Sequence, residues 1–176
     1  MKILGKLLLT AGILFGSSRI YAATTALKVG SNLNVNLNKP RIHRLNPNPF
    51  GGGIEIRLEV ELQNPTSGSL EITQPFIQLL SSDSIISSTV VSSKKFILKP
   101  LSKITLDTIS FIITWPTILS RLSVMNSEIP NGYNLIQKVS WIISNYKQIV
   151  TKLKLAVKYS TDVNGLYYSD IQKLNF

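Results

Sequence analysis

The sequence predicts a mainly β protein: a two-layer antiparallel β-sandwich with one amphipathic helix near its C-terminal third and a hydrophobic helix at its N-terminus. Apolar residues alternate with Glu, Arg and Gln throughout residues 54–63, which is typical of a strand with one buried face. Turn residues separate short apolar segments about every 10 to 12 residues, as in β-sandwiches. Across residues 133–150 apolar positions instead recur at spacings of three and four, which predicts a helix.

Proline positions and changes of phase define where the strands end. Asn64 and Pro65 end the second strand, because proline has no N–H and forces the preceding residue into extended or turn geometry. Pro75 predicts an edge position or a bulge within the third strand, and a change of phase near Asp107 and Thr108 predicts a bulge in the sixth. The expected strands cover residues 27–45, 54–63, 70–80, 85–91, 96–98, 104–115, 153–159 and 166–176.

The C-terminal part of the chain combines helices with a final hairpin. A short helix is expected to start near Pro116 and Thr117, before the longer helix over residues 133–150. Residues 161–165 are typical of a hairpin turn between the last two strands. The longer helix is therefore expected to pack against a domain that is otherwise built from strands.

Residues 1–26 form a segment of different character from the rest. Lys2 and Lys6 precede an apolar run over residues 7–15, and small residues follow, as in a secretory signal peptide. The run is shorter than the roughly 20 residues that a membrane-spanning helix needs, and Arg19 interrupts it. We expect either a cleaved signal peptide or a retained hydrophobic helix that anchors the protein to a membrane or docks it on partner proteins. Residues 27–176 would then form the sandwich.

Composition constrains the class of partner. The chain of 176 residues has 19 Lys and Arg against 9 Asp and Glu, a net charge of +10, which favours anionic partners. The cations are spread along the chain instead of forming a basic arm with interleaved aromatic residues, so no specific nucleic-acid recognition is expected. There is no cysteine, and neither a disulfide framework nor a thiolate metal site can form.

The order of strands and turns resembles the late embryogenesis abundant type 2 family, also called the water stress and hypersensitive response domain. The resemblance covers roughly residues 27–176. It is carried by the first strand ending in Lys39 and Pro40, the alternating residues 54–62, Asn64 and Pro65, residues 70–72 leading to residues 75–77, residues 99–102, and a late basic strand. The resemblance implies a sandwich related to fibronectin and immunoglobulin folds. It also implies a non-enzymatic module, found in desiccation-related proteins and in exported or envelope-associated microbial proteins.

Groups able to carry catalysis or bind metal are few. His43 is the only histidine and lies between two arginines, so we interpret it as a surface or strand-end residue and not as a catalytic base. Glu55, Glu59 and Glu61 share one face of a strand, but Arg57 among them favours charge pairing over a metal site. Residues 51–53, three glycines, precede a strand and not a helix, which indicates a flexible start to that strand and not a phosphate site. No cofactor is expected.

One surface is a candidate for contact with a partner. If the apolar positions of residues 133–150 face the sandwich, Trp141 lies on the outer side of the helix with Lys138 and Asn145, where a tryptophan would contact a partner or a membrane. Partial burial of Trp141 within its own domain is the alternative. The late basic strand adds the further candidates Lys152, Lys154 and Lys158.

The sequence thus predicts a protein that acts by binding or scaffolding, without enzymatic activity. We expect it to be exported, periplasmic or associated with a membrane or envelope, with other protein subunits as partners and an oligomer as one arrangement. Membrane contact would run through residues 1–26. The alternative is a structural subunit of a large assembly, such as a virus particle or an envelope complex, docked through the same residues. A hydrolase is a third and weaker hypothesis.

Overall fold

A computed structural model describes residues 33–125 and 129–176 and confirms a mainly β chain with antiparallel sheets. The predicted N-terminal helix lies outside these residues. No described helix is long and apolar enough to cross a membrane. The described strands are β1 Asn34–Asn46, β2 Gly53–Gln63, β3 Leu70–Thr73, β4 Phe76–Ser81, β5 Ser84–Ser88, β6 Lys95–Leu98, β7 Lys103–Thr105, β8 Ile109–Thr114, β9 Leu155–Val163 and β10 Leu166–Lys173, and the helices are α1 Trp115–Val124, α2 Leu135–Ser144 and α3 Tyr146–Lys152.

The strands form two sheets, which we call sheet A and sheet B. In sheet A, β2 is central: β1 pairs along one edge, while β7 and β8 follow one another along the other. In sheet B, β9 is central: β10 pairs along one edge, and β4 and β3 share the other. β5 then extends the sheet from β4, and β6 extends it from β3.

Residues of both sheets and of the helices form one buried core cluster. Alternate residues of β2 are buried, as the sequence pattern predicts, and so are alternate residues of β9. The helices connect β8 of sheet A to β9 of sheet B and add their own apolar residues to the same cluster. From the helical segment these buried residues are Trp115, Ile118, Leu122, Val139, Ile142, Ile149, Val150 and Leu153.

Two expected strands are each divided in two. The third expected strand, residues 70–80, is interrupted at Gln74 and Pro75, which separate β3 from β4. Gln74 N–H donates to Lys94 O at 2.7 Å. The sixth is interrupted at residues 106–108, although Leu106 N–H keeps a hydrogen bond to Val60 O at 2.9 Å. The phase change predicted a bulge there. The chain leaves the ladder more fully than a bulge requires, so that both β7 and β8 pair with β2.

The prediction of one helix over residues 133–150 is wrong, because the helix is interrupted at Asn145 and two helices form. The Asn145 backbone N–H donates to Trp141 O and Ile142 O, and its side-chain Nδ2 donates to Trp141 O at 2.8 Å. An asparagine side chain that bonds the backbone in this way competes with continued helix formation. α2 starts with a capping box, in which Asn134 and Gln137 each accept a hydrogen bond from the other's backbone N–H.

The interpretation of the glycine run as a flexible strand start is wrong for Gly52 and Gly53. A Cβ on Gly52 would collide with the carbonyl oxygens of Asn46 and Asn48, and one on Gly53 with the carbonyl of Ile113. Gly52 O also accepts a hydrogen bond from Trp115 N–H at 3.3 Å. These glycines are needed because other backbone segments approach too closely for any larger residue.

Candidate binding site

Two concave surfaces are the candidate sites, and the first lies between the open edges of the two sheets. We call it the edge cleft. Its volume is about 610 Å³. Its floor and walls include apolar side chains from both sheets and from the interruption between β7 and β8: Ile77, Val90, Phe96, Ile104, Leu106 and Ile109. The polar residues around it are mostly uncharged, with Lys94 and Asp107 as the charged ones.

The edge cleft is open because of how the strands pair. In the described part of the chain β7 and β8 pair only with β2, β5 only with β4, and β6 only with β3. Each of these strands therefore keeps one edge without a strand partner among the described residues. Unpaired strand edges expose backbone N–H and C=O groups that favour addition of a further strand.

The second surface, which we call the basic cleft, lies where β1, α3, the start of β9 and the end of the chain meet. It consists of two adjoining cavities of about 600 Å³ and 470 Å³ that share Val150, Thr151 and Phe176. The larger is lined also by Leu155, Ile171 and Leu174 and by Lys154, Lys173 and Asp83; the smaller also by Pro40, Ile42 and Tyr146 and by Arg41 and Lys147.

The sequence between α3 and β9 places Lys154 in this cleft. Leu153 and Leu155 are both buried in the core, and Lys154 between them takes the left-handed conformation, with a φ of 45°. Its backbone N–H donates to Thr151 O at 3.2 Å. Leu174 N–H donates to Leu155 O at 2.9 Å, which holds the segment after β10 beside the start of β9. The tight turn exposes the lysine side chain, while the neighbouring leucines stabilise its position.

The predicted partner residues are only partly brought together. Lys154 lines the basic cleft and Lys152 is exposed two residues before it, while Lys158 is half-buried in β9, opposite Ile171 of β10. Trp141 is half-buried and packs against the core cluster, with Lys138 and Asn145 half-buried on the same helical segment.

The condition on which the predicted Trp141 surface rested is not fully met. Val139 and Ile142 are buried, but Ile136 is 64% exposed and does not face the core. Sequence reasoning also missed Arg41, Lys147 and Lys173 of the basic cleft. They lie on three different elements, and no local pattern relates them.

The carboxylates of β2 form charge pairs. Glu55 Oε1 accepts hydrogen bonds from Ser110 Oγ at 2.7 Å and from Arg57 Nε at 2.8 Å, and Glu61 Oε2 lies 3.0 Å from Lys103 Nζ. The Ser110 hydrogen bond, with Arg57, lowers the pKa of Glu55, and Lys103 lowers the pKa of Glu61. Among the described residues no group of three or more His, Asp or Glu side chains is arranged to hold a metal ion.

His43 is exposed on β1, within a register irregularity between Ile42 and Arg44. Its charge contributes to the lowered pKa of Glu55, after the larger contributions of Ser110 and Arg57. The sequence predicts a surface or strand-end residue; His43 is on the surface, but within β1 and not at its end.

The fold and these clefts define a mainly β protein of antiparallel sheets joined by a helical segment. No family model matches the chain, and no curated protein matches it. Among solved structures it is similar to the sporulation control protein Spo0M from Bacillus subtilis, with 14% identity and a TM-score of 0.42, covering 81% of this chain and 47% of that one. A protein from Archaeoglobus fulgidus is similar with 12% identity and a TM-score of 0.35, covering 82% of this chain and 97% of that one. The chain therefore spans less than half the length of the Spo0M structure, and likenesses this distant carry neither protein's role over to it.

Proposed function

We propose that this protein is a non-enzymatic binding or scaffolding module that holds an extended segment of a partner protein in the edge cleft. The observation that carries the proposal is the position of this cleft, between strand edges that have no strand partner among the described residues. An added strand gains affinity from backbone hydrogen bonds and specificity from pockets for alternate side chains. Ile104, Leu106 and Ile109 offer apolar contacts for such side chains.

We propose further that sheets A and B are the two layers of a β-sandwich of the fibronectin or immunoglobulin kind. Support comes from the core cluster, to which alternate residues of β2 and of β9 contribute. Membership of the late embryogenesis abundant type 2 family is part of the same proposal. It rests on the sequence resemblance, in which Asn64 and Pro65 are the most specific residues.

Site-specific photo-crosslinking tests the partner-binding proposal. A crosslinking amino acid replaces Thr108, which is exposed and lines the edge cleft, and in a matched control replaces Ser120, which is exposed on helix α1 and away from any strand edge. We expect a defined crosslinked protein partner in native cells from position 108 and none from position 120. Equal crosslinking from both positions, or none from position 108, would overturn the proposal.

The location of the protein is a related proposal. We propose export, or association with a membrane or envelope, on the strength of Lys2, Lys6 and the apolar run over residues 7–15. N-terminal sequencing of the mature protein tests it. A start near Arg19 or Thr24 indicates cleavage after export, whereas an intact Met1 rules cleavage out.

A structural subunit of a large assembly, such as a virus particle or an envelope complex, is the second candidate. Large apolar side chains exposed on loops favour it: Val90 is 88% exposed, Phe50 84% and Leu101 77%. Apolar groups exposed in a monomer are often covered in an assembly. Sedimentation of the full-length chain separates the candidates, because an assembly subunit would form large, defined particles and a binding module would remain a monomer or small oligomer.

A further inference from the structure

We propose that the basic cleft binds a single-chain anionic amphiphile, meaning an apolar chain that ends in a carboxylate or phosphate group. The basic cleft shares no lining residue with the edge cleft, so the two sites are independent. This inference names a second site and a ligand class that a protein-binding role does not require.

Charge is the first argument. Lys154 and Lys173 line the larger cavity, Arg41 and Lys147 line the smaller, and Asp83 is the one side-chain carboxylate among the lining residues. The ion pairs seen among the described residues involve other cations: Arg57, Lys95 and Lys103. A concave surface lined mainly by one sign of charge concentrates ions of the opposite sign, so the cleft attracts anions.

The apolar lining is the second argument, and it separates an amphiphile from a simple anion. Val150, Leu155 and Leu174 are buried and form apolar parts of the wall, while Ile171 is 52% exposed and Phe176 49% exposed. Phe176 borders both cavities. An inorganic anion gains nothing from apolar side chains, whereas an alkyl chain laid against the exposed surface of Ile171 and Phe176 gains free energy for each methylene group removed from water.

Size is the third argument. Cavities of about 600 Å³ and 470 Å³ lie within the range of ligand sites for small molecules, roughly 300 to 1,000 Å³. Because the cavities adjoin, an alkyl chain of moderate length can lie in one cavity while its charged group contacts the lysines or the arginine that line the two cavities. A flat bilayer surface would not fill either cavity.

Isothermal titration of the full chain with dodecyl phosphate and with laurate, both below their micelle concentrations, tests the proposal. The matched variants are Lys154→Glu/Lys173→Glu, within the basic cleft, and Lys95→Glu/Lys99→Glu, two exposed lysines that line neither cleft, with the same change of charge. We expect the cleft variant to lose about tenfold or more in affinity for both amphiphiles, and the control variant to change by less than about threefold. Phe176→Ala should weaken binding of either amphiphile without removing the charge preference.

Four outcomes would overturn the proposal. Inorganic phosphate binding as tightly as dodecyl phosphate would reduce the site to adventitious ion binding. Equal binding of neutral dodecyl maltoside would show an apolar surface without charge selection. Binding to vesicles of phosphatidylcholine with phosphatidylserine, but to neither soluble amphiphile, would indicate a membrane surface instead. Equal losses in the two lysine variants would show that overall charge, and not the cleft, is responsible.

Discussion

A hydrogen bond from Asn64 to Leu98 joins the two sheets: Asn64 Nδ2, just after β2 of sheet A, donates to Leu98 O in β6 of sheet B at 3.2 Å. The same amide lies 3.0 Å from Lys99 O and 2.7 Å from Gly68 O, and Asn64 Oδ1 accepts from Thr66 N–H at 3.0 Å. Asn64 is fully buried. A residue that the sequence identifies as the end of a strand therefore also stabilises the contact between sheets.

Asn64→Ala should be strongly destabilising. It removes a fully buried amide that donates to three carbonyl oxygens and accepts from Thr66 N–H, which costs about 3 kcal/mol in free energy of unfolding. Chemical denaturation at neutral pH measures the loss. The control is Asn134→Ala at the exposed start of α2, where loss of a cap costs only about 1 kcal/mol. Similar losses of unfolding free energy in the two variants would show that the buried hydrogen bonds of Asn64 contribute no more to stability than an exposed helix cap.

Gly53→Ala should destabilise the corner between β2 and β8. Its new methyl group would collide with the Ile113 carbonyl, and backbone has little freedom to move within a paired strand. We expect a loss of about 2 kcal/mol or more in thermal or chemical unfolding. Gly68→Ala is the control, because nothing lies within 4 Å of a Cβ there. A tolerated Gly53→Ala would mean that β2 and β8 separate more easily than their pairing indicates.

Ser110→Ala should raise the pKa of Glu55. The Ser110 hydroxyl is the largest cause of the lowered Glu55 pKa, and Arg57, which is unchanged in the variant, continues to lower this pKa. Carboxyl titration followed by NMR measures the change. The pKa of Glu61 provides an internal control, since Lys103 and not Ser110 lowers it. An unchanged Glu55 pKa in the variant would show that Arg57 and His43, and not Ser110, lower the pKa.

Tyr159 should make the free energy of unfolding fall as the pH rises into the alkaline range. Its hydroxyl donates to Asp170 Oδ2 at 3.0 Å, and burial, with this hydrogen bond, strongly raises its pKa. A group whose pKa is raised on folding contributes stability below its unfolded pKa, about 10 for tyrosine, and loses that contribution as the pH rises further. Urea unfolding between neutral pH and pH about 11 should therefore show a shallower decline above pH 10 in Tyr159→Phe than in the wild type.

At neutral pH the same variant should lose about 1 to 2 kcal/mol, because the Asp170 hydrogen bond is removed. The control is Tyr167→Phe, on an exposed side chain of the same hairpin, for which we expect a change within about 0.5 kcal/mol. Parallel declines of wild type and Tyr159→Phe above pH 10 would contradict the assignment.

Local pattern was sufficient for β2 and for the turn of the final hairpin. The alternation in residues 54–63 identifies β2 almost to its ends, and the final hairpin turns at Asn164 and Gly165, both with positive φ, within the predicted turn. Pattern failed where a side chain competes with backbone pairing. Asn145 divides an apolar helical face whose spacing runs through it without interruption.

The sites could not be predicted in the same way. Arg41, Lys147 and Lys173 come together in the basic cleft only because β1, α3 and the end of β10 converge, and their positions in the sequence bear no regular relation. Lys154 was a candidate because it alternates with buried leucines. The edge cleft likewise depends on which strands end each sheet, and periodicity within a strand carries no information on its neighbours.

The central place of β9 in sheet B has a consequence for synthesis on the ribosome. β4 and β3 pair with β9, and the Thr161 hydroxyl donates to Thr73 O from 88 residues further along the chain. β3 and β4 therefore emerge long before the strand that will lie between them and β10. During that interval their edges are open to wrong pairing. Sheet B cannot be completed before β9 has been synthesised, and we expect its folding to be slow compared with that of proteins dominated by local contacts.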